Sequence, residues 1–73
     1  MSRNSAPAVS TEQVEALLIQ KLRGRVWNIR LHVEDGCVIL LGQARTYYAK
    51  QLAQHLVMEI VQLPIRANHI QVD

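Results

Sequence analysis

The residues that most restrict this chain are Asp35 and Gly36. They stand between two β-prone runs, "VWNIRLHVE" and "CVILLGQ", and Asp-Gly in that setting is a hairpin-turn signal. A two-residue loop leaves the second strand no freedom of register. Counting outward from the turn, Glu34 meets Cys37, Val33 meets Val38, Leu31 meets Leu40 and Ile29 meets Gly42. Residues 26–33 alternate, with Trp27, Ile29, Leu31 and Val33 on one face and Asn28, Arg30 and His32 on the other. Strict alternation marks a half-buried strand, so the apolar set is the core face. Val38 and Leu40 join that face. Cys37, Ile39 and Leu41 fall on the opposite side with Arg30 and His32, where the fold itself does not ask for apolar residues. Gly42 is expected on the core side, diagonal to Trp27. There it is either covered by the ring or lets the chain bend into the next element.

The flanking segments read as helices and one more strand. Ser10 with Gln13 three residues later forms a capping box, and Glu12 and Glu15 suit the positive end of a helix dipole. Val14, Leu17, Leu18 and Leu22 make one apolar stripe, Arg23 closes the helix, and Gly24 takes the C′ position. The spacing predicts a helix over 11–23. A second helix is predicted over 44–62, its stripe formed by Tyr48, Leu52, Leu56, Ile60 and Leu63 and widened by Ala49, Ala53 and Val57. Pro64 ends it. Residues 65–72 form a last strand, with Asn68, Ile70 and Val72 on one side and Ala67, His69 and Gln71 on the other. Residues 1–9, small and polar, read as a flexible tail before a folded domain over 10–73. The order α-β-β-α-β gives an α+β two-layer sandwich, with two helices on one face of a three-stranded mixed sheet and a right-handed crossover into strand 3. Strand 3 has two possible neighbours, strand 1 or strand 2.

Seventy-three residues make one small domain, and the 49% apolar content is enough for a core. A domain this size buries a modest share of its surface, so any partner that covers apolar surface stabilises it. The net charge of +2 does not mark a strong polyanion binder, though the pI of about 9.1 leaves that class open. A single cysteine excludes an internal disulfide. The first ten residues lack the apolar run of a signal peptide. With Met1 as the natural start a cytoplasmic location is expected; for a piece cut from an exported protein, the periplasm or envelope.

Together these residues resemble the BON domain, named from bacterial osmotic-stress and nodulation proteins. That family has a strand ending in an acidic-Gly turn, then V-x-L-x-G, a helix, and V-x-N-x-L-x-V. Asp35, Gly36, Val38, Leu40 and Gly42 carry the first part, and Asn68, Ile70 and Val72 the last. The resemblance spans roughly residues 12–73. It departs after helix 2, where Gln62-Leu63-Pro64 replaces a Gly-Val pair and Arg66 stands in place of a small aliphatic residue. It departs again at Ile39 and Leu41, which are typically polar in the family. The resemblance implies a non-enzymatic module that interacts with phospholipid, the cell envelope or other proteins.

Catalytic and ligand-binding chemistry finds little to work with. Cys37 and His32 share the open face diagonally, with His69 nearby on strand 3, and such a set suits nucleophilic or metal chemistry. The plainer reading is a small hydrophobe at a strand start among rim histidines. The three isolated glycines form no phosphate loop, and no G-x-x-G clamp for RNA is present, so no cofactor is expected. Lys21, Arg23 and Arg25 cluster at the end of helix 1. They either serve the helix dipole or meet an anionic lipid head group or, less in keeping with so few charges, nucleic acid together with Arg30. The expected partner is a second copy of the chain. It would dock on Cys37, Ile39, Leu41 and Ala67 inside a rim of Arg30, His32, His69 and Gln71. Asp35, Gly36, Val38, Leu40, Gly42 and Asn68 are expected to specify the fold.

Overall fold

Asp35 and Gly36 both adopt positive φ, 53° and 74°, the combination a type I′ hairpin needs. They join β1 (Val26–Glu34) to β2 (Cys37–Ala44). Glu34–Cys37, Val33–Val38 and Leu31–Leu40 face one another in antiparallel register, as the turn dictates. The computed structural model describes residues 10–73; the tail expected over residues 1–9 lies outside the described residues. Around the hairpin stand α1 (Thr11–Lys21), α2 (Tyr47–Val61) and β3 (Ile65–Val72). The sheet order is β1-β2-β3, so β3 lands beside β2, parallel to it. The result is an α+β fold in which two helices cover one face of a three-stranded mixed sheet.

The register changes where the sequence pattern gave no warning. Trp27 faces Gln43 and Arg30 faces Leu41, so Asn28 and Ile29 together oppose Gly42. This is a β-bulge, and Asn28 takes the left-handed conformation (φ 56°) that marks its first residue. The expected one-to-one Ile29–Gly42 pair is therefore replaced. The extra residue reverses which side chains point inward beyond it. Val26 becomes buried, and Trp27 leaves the expected core face for the open one. Gly42 is not covered by the indole. A side chain there would meet the Trp27 and Asn28 carbonyls at 3.1 and 3.4 Å, and its φ of 153° disfavours other residues.

The helices differ from expectation at their ends and on their faces. Ser10 Oγ accepts from the amides of Glu12 and Gln13, fixing the start of α1. The helix ends at Lys21 with Leu22 as cap, two residues early, and the left-handed Gly24 follows in the turn beyond. β2 runs through Ala44, and Thr46 caps α2 by accepting from the Ala49 amide, so α2 starts three residues later than expected. Gln62, left-handed at φ 58°, closes it before Pro64. The inward stripe of α2 is Ala49, Ala53 and Val57, while Leu52, Leu56 and Ile60 flank it half-buried. Small central residues let the helix axis lie close to the sheet. Tyr48, expected in the stripe, is 68% exposed, and Leu17 of α1 also faces outward.

Among the described residues thirteen aliphatic side chains form the buried core, drawn from both helices and all three strands. Val38 and Leu40 lie fully inside it. Each buried Leu or Ile contributes about 1.5–3 kcal/mol of transfer free energy. Val33 and Val72, although on the core side, are left partly in water at the strand ends. Asn68 ties β3 to α2: its Nδ2 donates to the Lys50 carbonyl and to Gln54 Oε1, and its Oδ1 accepts from the Ile70 amide. Arg66 is exposed as the extra residue where the β2–β3 register shifts.

Candidate functional site

The uncovered face of the sheet follows from the pairings alone. Ile39 lies between His32 and Ala67, Leu41 between Arg30 and His69, and Gln43 between Trp27 and Gln71. Each triple is a row across the sheet, its side chains on the side away from the helices. Ile39 and Leu41 occupy the central strand, and Leu41 is 39% exposed. Cys37 is half-buried beside Glu34 at the turn end. The expected interface residues Cys37, Ile39, Leu41, Ala67, Arg30, His32 and His69 are thus brought together on one face. Trp27 joins them at the far end. Sequence alternation assigns it to the core, and the left-handed Asn28 opposite Gly42 is what reverses it.

The indole is held in place. The Arg45 guanidinium lies 5.5 Å from the ring centre, within cation–π range, while its Nε donates to the Gly24 carbonyl. The Arg45 amide also donates to the Arg25 carbonyl. Asn28 Nδ2 donates to Gln43 Oε1 at 2.9 Å, bridging the bulge to the neighbouring strand. Of the three basic residues grouped from sequence, Lys21 ends α1 and Arg23 and Arg25 lie in the exposed turn after it. The structure adds Arg45 to them.

Both outer strands have an edge donor occupied from within. On β1 the Leu31 amide donates to Glu15 Oε2 at 2.7 Å, a charge-assisted bond that fastens α1 across the edge. On β3 the Ile70 amide is taken by the Asn68 side chain. Beside β1 runs an open groove of about 1150 Å³, from Glu12, Glu15, Ile19 and Arg23 of the α1 side to Trp27, Arg30 and His32 of the sheet. Among the described residues no group of histidine, cysteine and carboxylate side chains is arranged to hold a metal ion. His32 and Cys37 are diagonal neighbours, and His69 stands across from Leu41, so the trio shares a face without converging on a centre. No described helix is long and apolar enough to cross a membrane.

Compared with known proteins, the chain matches no family model, no curated protein and no solved structure.

Proposed function

We propose that this chain is a non-enzymatic interaction module of BON-like design that pairs with a second copy of itself through the open face of the sheet. The observation that carries the reading is the pair Ile39 and Leu41 at the centre of that face, inside a rim of polar side chains. Neither residue is needed for the core, and an apolar patch with a polar rim marks an interaction surface. The choice of the face over the edges rests on Glu15 and Asn68, which occupy edge donors that an added strand would require.

A second copy is the occupant that best suits this surface. A two-fold axis lying across the strands sets Ile39 of one copy near Leu41 of the other. Three strands of about 27 Å at a spacing of ~4.8 Å offer a footprint of ~390 Å² per copy. A standard interface buries ~800 Å² of accessible surface per partner, so the pair is expected to be weak and concentration-dependent. Sedimentation equilibrium over a wide range of concentration tests this. The wild type should pass from monomer to dimer mass, and Ile39→Lys or Leu41→Lys should remain a folded monomer. A mass that is monomeric throughout, or a dimer indifferent to both substitutions, would overturn the reading.

A further inference from the structure

This chain has three aromatic residues, and none of them is in its core. Aromatic side chains are the largest apolar surfaces available to a small domain. Among the described residues the core is aliphatic, while Tyr47 and Tyr48 are 63% and 68% exposed and Trp27 is half-buried. All three stand at the end of the molecule where β1 begins and β2 passes into α2. Arg23, Arg25 and Arg45 belong to the same end, linked by the bonds of Arg45 to Gly24 and Arg25.

We propose that this end binds single-stranded nucleic acid, with a base stacked at Trp27 and phosphates held by Arg23, Arg25 and Arg45. Stacking rings beside guanidinium groups are the combination that unpaired nucleotides require, because every base has a π-face and every linkage an anion. Arg45 is fixed in advance by its carbonyl bond and by the indole beneath it, so little side-chain freedom is lost on binding. The first turn of α2 carries no acidic residue, and its dipole adds positive potential beside the tyrosines. Concavity separates this ligand from a lipid surface. Trp27 and Arg23 line the groove beside β1. Glu12 and Glu15 occupy the far half of that groove, and Asp73 lies next to Ala44. These carboxylates limit the site to a short stretch of about two or three nucleotides, the number that a small set of stacking rings on a sheet holds.

Trp27 is the only tryptophan, so its fluorescence reports the site directly. Titration with single-stranded oligothymidylate should quench it. Three phosphate contacts predict that a fourfold rise in salt weakens binding ~20-fold. Arg23→Ser, an exposed substitution, should remove one contact and lower that factor to ~7-fold. Tyr48→Ser should weaken binding severalfold without altering the salt dependence. A duplex of the same composition should quench far less, since its bases are already stacked. Absence of quenching, equal response to the duplex, an unchanged salt factor in Arg23→Ser, or a stronger response to vesicles rich in anionic phospholipid would each overturn the proposal.

Discussion

Gly42 and Asn28 decide which way Trp27 points. A Cβ at position 42 would lie 3.1 Å from the Trp27 carbonyl and 3.4 Å from that of Asn28, both backbone atoms that cannot swing aside. Gly42→Ala should therefore cost roughly 2 kcal/mol and shift the Trp27 emission, because relief of the clash disturbs the bulge. Asn28, at φ 56°, is in a conformation that glycine adopts freely and β-branched residues resist. Asn28→Gly should stay within ~1 kcal/mol of the wild type, while Asn28→Val loses about 1–2 kcal/mol in urea denaturation. Equal stabilities for the two would mean that the left-handed backbone at Asn28 carries no strain for a β-branched residue. The Asp35-Gly36 turn was readable because two residues of special geometry stand together between strands. The bulge was not, because an outward-pointing asparagine in an alternating strand looks the same whether its backbone is extended or left-handed.

Among the elements, α2 shows how far periodicity carries. Its existence and direction were legible from the four-residue spacing, but the inward line was assigned to the bulkier residues. Close approach to the sheet requires small ones, and Ala49 and Ala53 are almost fully enclosed. Ala53→Leu should thus overpack the helix–sheet layer and lower stability by about 1–3 kcal/mol. Tyr48→Ala, at a site expected in the stripe but largely in water, should change it by no more than ~0.5 kcal/mol, apart from its effect on nucleic acid. Thermal denaturation monitored by circular dichroism separates the two, and the reverse ranking would contradict the observed face. β3 occupies the span that the sequence predicts, since Pro64 fixes its start and alternation its faces. Its neighbour in the sheet was open because sequence patterns do not state pairing partners. Asn68 settles its seat against α2 by bonding Lys50 and Gln54, and Asn68→Ala should cost about 1–3 kcal/mol by stranding those groups and the Ile70 amide.

At the scale of the whole molecule, size links stability to association. A core of thirteen aliphatic residues without an aromatic ring, among the described residues, leaves a domain of this length only marginally stable. The open face, meanwhile, keeps Ile39 and Leu41 in reach of water. The composition of that face was legible from the register of one turn; the arrival of Trp27 was not, since it depends on a single extra residue. If two faces pair as proposed, folding and association share one equilibrium, and the melting temperature must rise with protein concentration. Protein at a hundred times the dissociation constant leaves only a few per cent of chains unpaired, which contributes about 1.6 kcal/mol, equivalent to on the order of 10 °C for a domain this small. Ile39→Lys removes the pairing surface without touching the core, so its melting temperature should be independent of concentration and match that of the dilute wild type. A wild-type melting temperature that stays flat over the same range would mean that the apolar residues of the open face stabilise nothing by meeting one another.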